Sequence, residues 1–198
     1  MSGLVIIDSG GANLASVRHA LLRLGVDAPV TLDANTIRDA DRLLLPGVGA
    51  AAPIMRRLHE HGLVDLLRKL RTPLLGICVG MQVLYERSAE GDTPCLGLLP
   101  GRVEKITATP SARVPHMGWN RLRHEHESPL LAGIGEEYAY FVHSYAARVD
   151  HSCVASVEHG ERYAALVQRG HIAGAQFHPE RSAEVGAQLL RNFLAWQP

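Results

Sequence analysis

The sequence predicts an α/β fold: a mixed, mostly parallel central sheet flanked by helices, with antiparallel strands added to it. Two observations predict this. In the first half, short continuous apolar runs alternate with helix-period segments, the pattern of parallel strands buried on both faces. In the second half, strand-like runs follow one another with few helices between, separated by glycine-containing turns. At 198 residues the chain suits one domain spanning 1–198, at the upper end of common domain sizes.

The elements follow in order. Leu4 to Asp8 (LVIID) reads as a buried strand. From Asn13 to Leu24, the residues Leu14, Val17, Leu21 and Leu24 fall on one helical face. Ala28 to Leu32 is a second strand, and Arg42 to Leu45 a third, stopped by Pro46-Gly47. A helical pattern runs from Ala51 to Leu70, with a local break near His59-Glu60-His61 and Gly62 as a cap. Thr72 to Cys78 is a fourth strand, followed by a helix from Val79 to about Arg87. Arg102–Ile106, Tyr138–Val149, Cys153–Val157, Tyr163–Gln168 and His171–Phe177 read as strands. Val185, Leu189, Phe193 and Trp196 mark a closing helix.

Composition narrows the class. Apolar residues make up 46% and charged residues 20%, with a formal net charge of zero, so no global basic field favours nucleic acid. No apolar run approaches the roughly 20 residues of a membrane span. The N-terminus MSGLVIIDSGG lacks a basic n-region and a long h-region. Three cysteines, Cys78, Cys95 and Cys153, without an export signal point to reduced thiols and a cytoplasmic protein. No cysteine–histidine cluster has zinc spacing, and His124-Glu125-His126-Glu127 reads as a solvated turn, so no metal is expected. Neither a phosphate-binding G-x-x-x-x-G-K-[ST] nor a G-x-G-x-x-G is present, and no cofactor is expected.

Chemistry concentrates at strand ends, where open α/β sheets bind ligands. Gly76-Ile77-Cys78-Val79-Gly80 lies between a strand and a helix, the layout of a nucleophile elbow. Small neighbours two residues away leave room for a crowded turn, and a helix N-terminus behind the sulfur favours a thiolate. Taken alone, this pentapeptide suits a small buried hydrophobe better, the commoner role of an unpaired cysteine. A thiol nucleophile needs a base and the base an orienter. Gln176-Phe177-His178-Pro179-Glu180 offers both at another strand end, with His178 and Glu180 on one face of an extended segment. Leu45-Pro46-Gly47-Val48-Gly49 supplies glycines that let backbone N–H groups turn towards a ligand.

GICVGMQ, QFHPE and LPGVG together resemble the class I, triad-type glutamine amidotransferases. The motifs PHMGWN (Pro115 to Asn120), YFVHSY (Tyr140 to Tyr145) and IIDSGGANLASV (Ile6 to Val17) are similar to those of the glutaminase subunits of imidazole glycerol phosphate synthases. The resemblance covers essentially the whole chain and implies the flavodoxin-like fold of that class. It implies that Cys78 attacks the glutamine carboxamide, that His178 moves the proton, and that Glu180 orients His178. It implies an oxyanion hole from Val48, Gly49 and Val79, and glutamine contacts from Gly47, Gln82, His143, Ser144 and Tyr145. The implied partner is a (β/α)₈-barrel cyclase subunit in a heterodimer, which receives the ammonia; Asn13, Trp119, Tyr140 and Arg181 match positions near that interface. Ser9 stands where many members carry Tyr, and Arg181 where many carry Lys. Three alternatives stay open: a glutaminase of another pathway, a catalytically silent regulatory subunit, and an unrelated cysteine hydrolase.

Overall fold

The computed structural model describes residues 3–11 and 13–198. Strands β1 (Leu4–Ile7), β2 (Val30–Thr31), β3 (Arg42–Gly47) and β4 (Leu74–Cys78) come from the first half, with helices α1 (Leu14–Arg23), α2 (Ala34–Arg38), α3 (Ala51–Glu60), α4 (Leu63–Lys69) and α5 (Val79–Gln82). Next come β5 (Arg87–Ser88), β6 (Thr93–Pro94), β7 (Arg102–Lys105), β8 (His116–Arg121) and β9 (Arg123–His124). The chain continues with β10 (Tyr138–His143), β11 (Tyr145–Ala147), β12 (Cys153–His159), β13 (Glu161–Arg169), β14 (Ile172–Ala175) and helix α6 (Ala183–Ala195).

The main sheet has the order β2-β1-β3-β4-β14-β13-β12-β9. Its first five strands are parallel, and β13, β12 and β9 extend it antiparallel. Every residue of β1, β4 and β14 is buried, as strands covered on both faces require. A ribbon of β8 and β10 and a four-stranded sheet β11-β7-β5-β6 complete the frame. No helix among the described residues is long and apolar enough to cross a membrane.

The helical pattern from Ala51 to Leu70 breaks where expected: Gly62 is left-handed (φ 64°, ψ 21°) and turns the chain between two helices. The differences from the sequence expectation also have local causes. The helix after Cys78 stops at Gln82 instead of near Arg87. Carbonyls of Val83, Leu84, Tyr85 and Glu86 accept instead from N–H groups of residues 95–99, so the backbone is claimed by a loop. The strand expected over Ala28–Leu32 shrinks to Val30–Thr31. Next to it α2, which the periodicity misses, is started by Asp33, whose carboxylate accepts from Thr36 N–H at 2.7 Å. The strand expected over Tyr138–Val149 breaks at Ser144: β10 pairs with β8 and β11 with β7.

Candidate active site

The elbow is built by the sheet. Cys78 ends β4 with φ 55° and ψ −114°, a conformation that costs a non-glycine residue steric strain. The glycines around it are there for space. A Cβ on Gly80 would lie 1.7 Å from the Leu45 carbonyl oxygen, one on Gly76 2.6 Å from the Gly80 carbonyl oxygen, and one on Gly47 2.5 Å from the Gly80 nitrogen. Only hydrogens fit where β3, β4 and α5 meet. The register Gly47↔Cys78 then places Val48 and Gly49, the next residues of the β3 strand end, beside the sulfur. Gly49 is left-handed, with φ 82°.

β14 runs parallel to β4 with Ala175 opposite Ile77, so Gln176, Phe177 and His178 leave the sheet at the edge where Cys78 lies. His178 Nδ1–H donates to Glu180 Oε1 at 2.7 Å, and both side chains are almost fully buried. Backbone bonds fix this segment: His178 N–H donates to Tyr140 O at 2.9 Å, Ser182 Oγ donates to His178 O at 2.7 Å, and Tyr140 N–H donates to Ser182 Oγ at 2.9 Å. His178 Nε2 has no hydrogen-bond partner among the described residues, and it and Cys78 belong to one cleft. Burial pulls the imidazolium down, but the Cys78 sulfur and the Glu180 carboxylate outweigh burial and push it up to about 10. Burial also works against the Glu180 carboxylate, yet His178 and Asn13 hold it below the usual range.

The cleft has a volume of about 480 Å³, of the size that takes a small molecule. Asn13, Val48, Gly49, Cys78, Val79, Gln82, His143, Ser144, Tyr145, His178 and Arg181 line it. The bend at Ser144 is what turns residues 143–145 into it. Gln82 spends its amide hydrogens inside the protein, donating to Tyr145 O at 2.8 Å and to Gln176 Oε1 at 3.0 Å. Its Oε1 is left to accept.

Behind Tyr145 runs a directed chain of neutral histidines. Asn120 Nδ2 donates to His116 Nε2 (3.2 Å), His116 Nδ1–H donates to His143 Nε2 (3.1 Å), and His143 Nδ1–H donates to Tyr145 O (2.9 Å). One set of tautomers satisfies all three bonds. Burial, with the neighbouring imidazoles, lowers His116 to about 3. Burial lowers His143 to about 4, against the pull of the Tyr145 carbonyl. His116 is stacked between Phe141 and His159, with ring centroids at 4.8 and 4.1 Å.

The cleft opens beside an apolar surface. Trp119 and Tyr140 face each other across the β8–β10 ribbon in an edge-on pair at 5.9 Å, and the Arg181 guanidinium lies 5.2 Å over the Tyr140 ring. Met117, Trp119 and Tyr138 are 64%, 51% and 59% exposed, which is unusual for such large side chains in a row.

Most residues singled out in the sequence meet here. Gly47, expected at the substrate, is buried under Gly80 and Val79 and does not line the cleft. Asn13, expected near an interface, also donates from Nδ2 to Glu180 Oε1 at 2.5 Å. Residues that the sequence reading left without a role are Gln176, Ser182, His116 and Asn120. The first lies two positions before His178 and the last two lie within PHMGWN, so their neighbourhood was marked although their bonds were not. Among the described residues no cluster of histidine, cysteine or carboxylate side chains forms a metal site.

A thiol on a strained elbow, a buried imidazole–carboxylate pair at the next strand end and a small-molecule cleft suit nucleophilic chemistry on a carbonyl or amide. The chain matches the sequence model of the glutamine amidotransferase class-I family over residues 5–196, and it belongs to that family. A crystal structure of a glutamine amidotransferase has the same fold, with a TM-score of 0.75 at 24% identity over 97% of both chains. Among curated proteins, the chain is 57% identical over 195 residues to the imidazole glycerol phosphate synthase subunit HisH of Xylella fastidiosa, covering 98% of each. It is 58% identical to the subunit of the same name from Xanthomonas euvesicatoria, with the same coverage.

Proposed function

We propose that this chain is the glutamine-hydrolysing subunit of an imidazole glycerol phosphate synthase and passes ammonia to a (β/α)₈-barrel cyclase partner. The relatives bearing that name, at 57% identity over nearly the whole chain, support the pathway. The observation that carries the chemistry is the convergence of Cys78, His178 and Glu180 at one sheet edge.

The Cys78 sulfur attacks the glutamine carboxamide carbon after giving its proton to His178 Nε2. Charge on the carbonyl oxygen is met by the N–H of Val79 and by the Val48–Gly49 loop. The C–N bond then breaks, His178 returns the proton to the departing nitrogen, and ammonia leaves a glutamyl thioester on Cys78. Water adds to the thioester with His178 as base, giving glutamate and the free thiol. Glu180 keeps Nδ1 protonated throughout, so that Nε2 is always the nitrogen that works. The buried anion beside it favours the imidazolium that each half-reaction creates. Gln82 Oε1 and the groups around His143–Tyr145 hold the amino-acid end of the substrate. The exposed ribbon face with Met117, Trp119 and Tyr138 takes the cyclase, which covers the cleft and receives ammonia before water protonates it.

The test is glutamine hydrolysis by Cys78→Ala in the presence of the cyclase and its ligand. Glutamate release is expected to fall to background. Retained turnover would overturn the assignment. The wild-type chain without the cyclase is expected to be nearly inactive, since uncoupled hydrolysis wastes glutamine.

A further inference from the structure

Asn13 occupies the N-cap of α1, where an asparagine ordinarily turns its side chain back onto the helix, yet it makes no side-chain cap bond. Its amide reaches across the fold instead. Nδ2 lies 2.5 Å from Glu180 Oε1 and 3.2 Å from His178 Nδ1. Because His178 Nδ1–H also donates to that oxygen at 2.7 Å, the two nitrogens are donors side by side on one acceptor. Glu180 Oε2 is buried with no hydrogen-bond partner among the described residues. Among the described residues the carboxylate is thus gripped at one oxygen, by the imidazole it must orient and by Asn13.

We infer that Asn13 is a positioning residue of the site: its amide fixes the Glu180 carboxylate and, through it, the aim of the His178 imidazole at Cys78. The inference rests on the function proposed above and assigns Asn13 a role that docking a partner does not require. The same loop is fastened to the oxyanion side as well. Ser9 Oγ donates to Pro46 O, and a Cβ on Gly11 would meet Val48 Cγ2 at 2.7 Å. Asn13 contacts the triad and also lines the cleft.

Two substitutions separate this role from helix capping. Ser and Asp are both strong N-caps, so α1 keeps its start. Ser is too short to reach Glu180, and Asp replaces the donor with a second carboxylate facing the first. The full chain, without partner, is treated with iodoacetamide across pH 5–9, and alkylation of Cys78 is followed by intact mass. Glutamine turnover is then measured in the cyclase complex. Asn13→Ser is expected to lower the alkylation rate and kcat roughly 10- to 100-fold with KM for glutamine little changed, the range for losing a hydrogen bond to a charged group. Asn13→Asp is expected to do so and also to shift the alkylation pH profile upward, because the added negative charge stabilises the imidazolium. Wild-type alkylation rates and profiles in both variants, with only the affinity for the cyclase altered, would overturn the inference and leave Asn13 an interface residue. If His178→Ala alkylated as fast as wild type, the proposed function would fail instead, and this inference with it.

Discussion

Gly80→Ala tests whether the elbow depends on the missing side chains. The new Cβ would sit 1.7 Å from Leu45 O, 2.8 Å from Leu45 C and 3.1 Å from Pro46 C, all backbone of β3. Real Cβ atoms keep at least 3.0 Å, so α5 or the end of β3 must move by about 1.3 Å, and no flexible side chain can absorb it. Overpacking in a well-packed core costs about 1–3 kcal/mol, and a clash with backbone belongs at or beyond the upper end. That is a large part of a typical stability of about 5–15 kcal/mol. The displaced elements carry Cys78 and the Val48–Gly49 loop. A misplacement of about 1 Å at reacting groups costs on the order of 100-fold in rate. The assays are urea unfolding of the isolated chain and glutamine turnover in the cyclase complex. Stability should fall by at least about 3 kcal/mol, and turnover per folded molecule about 100-fold. Gly135→Ala is the control: its nearest neighbours would be Glu137 side-chain atoms at 3.8 Å, and stability should stay within about 0.5 kcal/mol. A Gly80→Ala protein with native stability and full turnover would refute the packing argument.

Two further predictions concern the surroundings of the cleft. His143 is lowered from 6.5 to about 4, so the unfolded chain binds its proton first as pH falls. Stability is therefore fully present above pH 6.5 and is lost on the way to about pH 4, up to roughly 3 kcal/mol from this residue at about 1.4 kcal/mol per unit. His116 acts in the same direction. Unfolding free energy measured between pH 6.5 and 5 should fall with pH, and His143→Asn should flatten that slope; an unchanged slope would refute a neutral histidine chain. Trp119→Ala, at 51% exposure, should hardly change the chain's own melting temperature yet weaken cyclase binding about 30-fold or more, as a buried interface tryptophan does. Titration calorimetry with unaltered affinity would move the docking face elsewhere.

How much was legible follows from the physics of each signal. Strands β1, β3, β4 and β14 read clearly because burial on both faces leaves continuous apolar runs. The left-handed Gly62 was visible as a break because glycine is the residue that fits it. The helix α2 was not, since five residues with one buried side chain, Ile37, carry no period. Nor was the end of α5, because the groups that take its backbone lie in residues 95–99 and no local pattern records them. Strand β8 was seen only as the motif PHMGWN: its outward face holds Met117 and Trp119, so alternation of polar and apolar gives no strand signal there. At the site, reactive residues and glycines stood out by type and spacing. The bonds of Asn13, Gln176 and Ser182 did not, because an amide or hydroxyl is common on any surface and only the fold reveals what it holds.

These bonds divide the site into two mechanical parts. Cys78 is set by the interior of the main sheet, where Gly47, Gly76 and Gly80 leave no slack between β3, β4 and α5. The imidazole is set from outside that sheet. Its backbone is tied to Tyr140 through His178 N–H and through Ser182 Oγ, and its carboxylate is tied to Asn13. Tyr140 belongs to the ribbon that exposes Trp119 and Met117, and the histidine chain leads from Asn120 of that ribbon to Tyr145 O at the cleft wall. A partner docked on the ribbon would therefore bear on the base, on the substrate wall and, through Val142 O of β10 at 4.0 Å, on the Cys78 sulfur. Activation through this route should show as a change in kcat with the Cys78 backbone unmoved. Deletions at the ribbon should separate docking from turnover only when they spare the Tyr140 backbone.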